Sequence, residues 1–416
     1  MTLSLREQFQ AQVSQWDLSD PQFVSELVDV ILADARRAGA SDVHLLPQED
    51  GLEMTWRIDG VLHPVARFPR AVSANIVSRL KVLAELLTYR MEVPQEGRIR
   101  SGDAGVEMRV STFPTLFGEK AVIRLFIGSG RYLFLDDLGL PSDVNTTLKQ
   151  LLQETGGAIL ATGPAGSGKS TTLYACLREL LTGTATGRSL TTLEDPIEAV
   201  VAGVSQSQVK PSSGFDYEIG LRALLRQDPD VIMVGEIRDR ATAEIVFQAA
   251  LTGHLVLTSF HAGSAAEAVG RLLEMGIEPF QLRNGILCVV NQRLVRRLCD
   301  CAQSNENEEA RLGLDVRQVS EPAGCEKCSG TGYRERTVIV EMLLPEDPKM
   351  ARAILSRRDA SEIERLAVEA GMTTRWVRAG EAVEAGRTSP AEVRRVLGFR
   401  SSPGTSFSVD RGSPGG

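Results

Sequence analysis

The run Gly163-Pro-Ala-Gly-Ser-Gly-Lys-Ser170 constrains this 416-residue chain more than any other stretch. It fits G-x-x-x-x-G-K-[ST], a pattern that needs a buried strand before it and a helix after it. Both are legible: residues 158–160 are apolar, and residues 171–181 suit a helix. Gly163, Gly166 and Gly168, with Pro164, Ala165 and Ser167 between them, let the backbone wrap closely with its N–H groups turned inward on phosphate. Lys169 brings a point charge to the β- and γ-phosphates, the Ser170 hydroxyl is placed to ligate Mg²⁺, and Thr171 completes the loop. The expected ligands are ATP and Mg²⁺.

A phosphate cradle binds nucleotide without hydrolysing it, so acids are needed at neighbouring strand ends. Short apolar runs at 158–162, 190–193, 231–234 and 255–258 alternate with helical stretches, which predicts a parallel sheet covered on both faces. In such sheets the ligand crevice lies at the carboxyl ends of the strands. Glu236 closes the 231–234 run, where it can orient Mg²⁺-bound or attacking water, and Glu194-Asp195 closes another run. His254 and His261 bracket a further run; either can be a satisfied core histidine, and His261, at the strand's end, is the better candidate for sensing the γ-phosphate. The uncharged stretch 245–266 reaches membrane-spanning length, but its Gln248, His254 and His261 make it a buried helix–turn–strand.

Upstream, the spacing of Phe23, Leu27 and Ile31 predicts an amphipathic helix. Strands follow at 43–46, 52–58 and 61–68, the last two joined by an Asp59-Gly60 hairpin turn. A second helix is expected over 72–88, then strands near 106–112 and 120–126. The chain therefore divides into a polar tail (1–20), a small α+β domain (21–128), a linker (129–140) entered through Ile127-Gly-Ser-Gly130, a phosphate-loop domain (141–398) and a disordered tail (399–416). Residues 344–398 are expected to be helical, with a capping box at Ser361–Glu364 and a last helix opening at Ser389-Pro390. No signal-peptide core is visible, so a soluble cytoplasmic protein is expected. The formal charge of −8 disfavours a chain whose main partner is nucleic acid.

Four of six cysteines crowd into Cys299, Cys301, Cys325 and Cys328. Two thiol pairs in a cytosolic chain suit a closed tetrahedral zinc site that shapes a finger; inert or redox-active thiols are the alternative. The C-x-C spacing of the first pair makes a tighter chelate than the C-x-x-C of the second. Cys176 and Cys288 sit among apolar residues and belong to the core.

Taken in order, Gly163–Ser170, the segment Thr192-Leu-Glu-Asp-Pro-Ile-Glu198, the stretch from Leu224 to Asp239 and Gly253–His261 resemble the Walker A, Asp-box, Walker B and His-box elements of the type II secretion and type IV pilus assembly ATPases. The likeness extends to Ser41-Asp-Val-His44, Arg57-Ile-Asp-Gly60, Glu96-Gly-Arg98 and Met108-Arg-Val-Ser-Thr112 upstream, and to the cysteine element downstream. It implies an α/β, RecA-like ATPase domain preceded by a PAS-like domain. It also implies a homohexameric motor at the inner membrane, docked on a platform protein and cytoplasmic adaptors, that turns ATP hydrolysis into pseudopilus or pilus assembly. Glu194 and Glu236 become the catalytic acids, His254 and His261 the His box, and Arg98, Arg109 and Arg124 the arginines that reach towards the phosphates. Three departures stand out: about twenty residues precede the PAS-like part, Cys299-Asp-Cys301 is a C-x-C where C-x-x-C is usual, and Ala-Gly-Ser follows His261 where Thr-Asn-Asp is usual. A nucleotide-gated scaffold without turnover, or a DNA-transfer ATPase, is the competing expectation.

Overall fold

The computed structural model describes residues 5–13, 22–100, 107–125, 132–183 and 187–399. Its first unit is α1 (Leu5–Val13), α2 (Phe23–Arg37), β1 (Ala40–Gln48), β2 (Gly51–Ile58), β3 (Val61–Pro69), α3 (Arg70–Leu83), β4 (Gln95–Arg100), β5 (Glu107–Thr115) and β6 (Gly118–Leu125). The strands form one antiparallel sheet in the order β3-β2-β1-β6-β5-β4. Alternation along the strands sends Val43, Leu45, Met54, Val110 and Ile123 to one face, where they share a core with Leu27, Ile31, Ile76 and Leu80 of α2 and α3. Polar residues of the same strands are left on the other face.

The second unit is α4 (Ser142–Leu151), β7 (Gly157–Thr162), α5 (Lys169–Thr182), β8 (Leu190–Glu194), β9 (Ser205–Gln208), α6 (Tyr217–Leu224), β10 (Val231–Val234), α7 (Arg240–Leu251), β11 (Leu255–Phe260), α8 (Ala265–Glu274), α9 (Pro279–Gly285), β12 (Ile286–Leu298), β13 (Gln303–Asn305), β14 (Val319–Glu321), β15 (Tyr333–Leu343) and α10 (Pro348–Leu355), α11 (Ala360–Glu369), α12 (Arg375–Glu384) and α13 (Pro390–Leu397). Its main sheet runs β15-β12-β7-β11-β10-β8-β9. All its neighbouring strands are parallel except the β12–β15 pair. One apolar cluster packs on each face of this sheet, so β7, β10 and β11 are buried along their whole length. The expected doubly covered parallel sheet is present.

Several details differ from the sequence expectation. The polar segment 1–20 contains α1, whose Phe9 meets Trp56 and Phe68 edge-on at ring-centroid distances of 6.0 and 6.3 Å. One aromatic in a polar helix suffices to dock it. The described part of the expected linker, 132–140, is no spacer: Leu135 is fully buried in the core of the second unit. The start of that linker, and nearly all of the expected tail after 399, lie outside the described residues. Helix α11 is capped by Asp359, which accepts from the Glu362 N–H, two residues before the expected Ser361. Asp359-x-x-Glu362 satisfies the same spacing two residues earlier, and an aspartate is as good an N-cap as a serine. At the last helix Ser389 is the N-cap and Pro390 opens the first turn, as expected.

Candidate nucleotide site and cysteine finger

Register places the site. Thr162 of β7 pairs with Phe260 of β11 and with Asn291 of β12, while Val234 of β10 faces Thr258 and Leu193. The carboxyl ends of four strands thus reach one edge, where the loop 163–168, Glu194, Glu236 and His261 emerge together.

The loop is shaped by glycine where a side chain could not stand. Gly163 has φ +141°, and a Cβ there would lie 2.5 Å from the Gln292 carbonyl oxygen and 2.6 Å from Ser167 Oγ. At Gly166 the reason is conformation alone: φ is +73°, and a Cβ would meet nothing within 4 Å, so this turn of the loop stands open to a ligand. Gly168, with φ +93°, starts α5 without a side-chain cap, so the first N–H groups of that helix are directed into the loop. Lys169 folds back, its Nζ donating to the carbonyls of Gly163 (3.0 Å) and Pro164 (2.9 Å). Burial holds its ammonium below the usual lysine range; Glu236 opposes that and Arg293 adds to it. The buried Ser167 Oγ has no hydrogen-bond partner. Loop N–H groups, a buried cation and an orphaned hydroxyl are a donor set that fits phosphate, and the neighbouring Ser170 hydroxyl is an oxygen that could serve Mg²⁺.

The acids separate into different environments. Glu194 is buried, and its carboxylate accepts from the Tyr174 hydroxyl, Thr192 Oγ1 (2.6 Å) and Gln206 Nε2 (3.1 Å). Glu236 is partly open; one oxygen pairs with Arg238, and the other stands 3.4 Å from His261 Nε2. Arg238 also reaches Asp195 at 2.9 Å, tying the two acidic segments together. Glu198 lies inside the Asp-box segment, where the sequence alone assigns it no role. Burial raises its carboxyl above the usual range, and the facing Ser170 hydroxyl pulls it back, with weaker help from Arg124 and Lys169. An acid beside the phosphate-loop serine was missed because its fourth place after Glu194 in an irregular segment carries no periodic signal.

The histidines part company. His261 meets Glu236, whereas His254 lies at the other end of β11, about 20 Å away at strand rise. There its Nδ1 faces the Ala249 carbonyl at 3.1 Å, at the end of α7. It closes a helix and is not brought to the site.

The three arginines of the first unit stand side by side. Register pairs Arg98 with Arg109, Arg109 with Arg124, Arg124 with Asp42, and Asp42 with Arg57, all on the face away from the core. Asp42 compensates two of them, at 3.1 Å from Arg124 and 3.6 Å from Arg57, and Arg109 pairs with Glu96. Like charges directly opposite one another destabilise a sheet, so such a row is poorly explained by folding alone. The Arg124 charge is among the weaker influences that lower the Glu198 carboxyl, so the row lies within electrostatic reach of the Asp-box segment.

The four clustered cysteines converge, with their sulfurs all within 4.8 Å of one another. Cys299–Cys325, Cys301–Cys328 and Cys325–Cys328 are separated by 3.7, 3.9 and 3.8 Å. A tetrahedron with bonds of about 2.3 Å has edges of about 3.8 Å, so this set fits zinc, and the C-x-C pair fits with it. Burial works against the Cys328 thiolate, yet the N–H groups of Cys325 and Gly332 hold its pKa down to about 7. Cys301, by contrast, is pushed up to about 11, burial being the main cause. The finger interrupts the β12–β15 hairpin and carries its own β13–β14 pair. Cys176 and Cys288 are fully buried, as expected.

The description "Type II/IV secretion system protein" matches residues 17–395. The type II secretion system ATPase E of Vibrio cholerae is 44% identical over 353 residues, 83% of this chain and 70% of that protein. The type IV pilus assembly ATPase PilB of Thermus thermophilus is 38% identical over 366 residues, 85% of this chain but only 41% of that much longer protein. Among solved structures, the pilus retraction motor PilT with bound ADP superposes at a TM-score of 0.60, with 23% identity over 88% of this chain and 95% of that one. The DotB ATPase of Yersinia pseudotuberculosis gives 0.66 with 21% identity, covering 90% and 93%. These last two establish the shared two-unit fold. The ordered motifs, their convergence at one sheet edge and the extent of the match lead to one family: this chain belongs to the type II/IV secretion system proteins.

Proposed function

We propose that the chain is a Mg²⁺-dependent ATPase subunit of a six-membered ring that drives assembly of a type II secretion pseudopilus or a type IV pilus. In this reading it works at the inner membrane through a platform protein and its adaptors. Among the described residues no helix is long and apolar enough to cross a membrane, so membrane contact would come through partners. The observation that carries the reading is the meeting of Lys169, Ser170, Glu198, Glu236 and His261 at one strand edge, within the field of Arg124. Lys169 and the loop N–H groups hold the β- and γ-phosphates. Ser170 would hold Mg²⁺ through its hydroxyl, and Glu198, which faces that hydroxyl, would support it as an outer partner; the metal would supply positive charge to the phosphates. Glu236, steadied by Arg238 and His261, orients the water that attacks the γ-phosphorus as the bond to the departing ADP oxygen breaks. The arginine row supplies positive charge to the equatorial oxygens, the usual source of acceleration in phosphoryl transfer. Glu194, with both oxygens occupied, holds in place the segment that carries Glu198. The cysteines bind one structural zinc, which shapes the finger and takes no part in hydrolysis.

The test separates binding from turnover. Glu236→Gln is expected to bind ATP and lose about 10²–10⁴-fold in rate, the scale of a lost general base. Lys169→Ala is expected to lose both. Turnover of Glu236→Gln equal to wild type would refute the assignment. A wild-type chain that binds ATP with no turnover sensitive to Lys169→Ala would instead favour a nucleotide-gated scaffold.

A further inference from the structure

We infer that Arg293 is a second cation of the nucleotide pocket, a phosphate-responsive tie between the entry of the loop and the segment that follows His261. The inference rests on the nucleotide-binding reading above. Strand β12 runs beside β7 as far as the Asn291–Thr162 pair, so the residues after Asn291 emerge at the mouth of the loop. Asn291 is pinned there, its Nδ2 donating to Thr162 Oγ1 at 3.0 Å and to the Ala262 carbonyl at 3.2 Å. Two residues on, Arg293 Nη1 lies 3.2 Å from where a Cβ on Gly163 would stand, so the guanidinium rests against the first glycine of the loop.

What it binds there is neutral. Nη1 donates to Asn291 Oδ1 (3.2 Å) and the Gln292 carbonyl (3.0 Å), and Nη2 to the Gly263 carbonyl (2.7 Å). The carboxylates whose charge reaches it, Glu341 and Glu267, form no ion pair with it among the described residues. Glu341 is taken by Arg375 at 3.0 Å, and Glu267 accepts from the Gly263 N–H at 2.9 Å. Lys169 is in the same position, a buried cation resting on the carbonyls of Gly163 and Pro164. Two like charges therefore face one short stretch of backbone, each solvated by carbonyls and neither neutralised. A buried, unneutralised cation is costly, and a polyanion entering between them removes that cost. Phosphate oxygens can replace the Gly263 carbonyl as acceptor for Arg293. Gly263 stands between His261 and Ser264, the N-cap of α8, so this exchange converts the presence of the terminal phosphate into a released contact at the start of that helix.

The test uses the full chain carrying Glu236→Gln, so that turnover does not intrude, with fluorescent ATP and ADP analogues and thermal melting. Arg293→Ala and Arg293→Gln are expected to weaken ATP binding by about tenfold or more, the scale of a charged hydrogen bond, and ADP binding much less. Without nucleotide their melting midpoint should equal or exceed the parent's, and the ATP-induced rise should shrink. Arg293→Lys, which keeps the charge and loses the fork, should recover part of the ATP preference. ATP binding by Arg293→Gln equal to the parent's overturns the inference. So does a lower nucleotide-free midpoint with the ATP preference intact, the mark of a structural strut. Failure of the Glu236→Gln parent to bind either nucleotide would overturn the reading of the whole site, a result distinct from both.

Discussion

Glu392 anchors the finger's root, and replacing it by glutamine tests how that anchor works. Its side chain has no exposed surface and accepts five hydrogen bonds. Oε1 takes the Arg296 N–H at 2.9 Å and Arg395 Nη2 at 2.6 Å; Oε2 takes Arg296 Nε at 3.0 Å and Nη2 at 2.7 Å, and Arg395 Nε at 2.7 Å. Arg296 lies three residues before Cys299, and its guanidinium sits 3.9 Å from the ring centre of Tyr333, on the returning strand. Tyr333 in turn hydrogen-bonds Ser389, the N-cap of α13, at 2.6 Å. Glu392→Gln keeps the shape but leaves the Arg296 cation unpaired and turns an amide N–H₂ towards guanidinium donors. Removing one partner of a buried ion pair costs about 3–5 kcal/mol. For a unit of roughly 250 residues that is a fall of about 6–15 °C in melting midpoint. Burial tends to raise the Glu392 pKa, but the two arginines outweigh it and hold the carboxyl below its ordinary value. A carboxyl depressed on folding adds stability above its unfolded pKa of about 4.3. That contribution is lost as pH falls through the lower folded value. The gap between wild type and Glu392→Gln should therefore be full at pH 7 and close on acidification. Urea unfolding across pH measures it. A gap under about 1 kcal/mol at pH 7, against the 3–5 expected of a buried pair, would refute the reasoning. A gap that widens in acid would do the same.

Three further outcomes are expected. Glu198→Gln should need about 10–100-fold more Mg²⁺ for half-maximal hydrolysis, as loss of a metal's outer partner does. Because burial raises the Glu198 carboxyl, it should also remove an acid-side loss of activity that wild type shows above the ordinary carboxylate range; an unchanged Mg²⁺ titration would remove Glu198 from the site. Gly163→Ala combines an unfavourable φ with a Cβ 2.5 Å from the Gln292 carbonyl, so nucleotide binding by calorimetry should vanish from a chain that still melts cooperatively. Elemental analysis should find one zinc per chain, lost in Cys325→Ser while basal hydrolysis persists; a chain purified without chelator and free of metal would end the zinc reading.

The phosphate loop, the parallel strands and the cysteine quartet were legible because each rests on local chemistry: glycines where φ is positive, apolar runs bounded by turns, thiols in pairs. The Asp59-Gly60 hairpin was legible for the same reason. Strands β12 and β15 were not assigned. The first half of β12 is buried on both faces and shows no alternation, and the 34 residues of the finger separate it from its partner. Strand β4 is short and carries Glu96, Arg98 and Arg100, which read as loop. Roles set by tertiary contact were hidden for a further reason. Nothing in the sequence shows that the lone pairs of Glu194 are occupied while Glu198 faces Ser170, and the sequence prefers His261 to His254 only by its place at the strand's end. Those distinctions come from Tyr174, Gln206 and Glu236, which are distant in the chain.

The β12–β15 ribbon links three places that the chain otherwise keeps apart. Its inner end is bonded to the strand that feeds the phosphate loop, and Cys299 lies six residues beyond Arg293, about 20 Å further out at strand rise. Part-way along, the Glu335 N–H donates to Asp59 at 3.1 Å, and Arg336 stands 3.6 Å from the same carboxylate, at the hairpin turn of the first unit. By register Arg336 faces Arg296, so that contact lies about midway between Arg293 and Cys299 and ties the ribbon to the first unit there. A metal held by the four cysteines would stiffen the far end of the ribbon, so the phosphate loop, the first unit and the finger share one continuous piece of backbone.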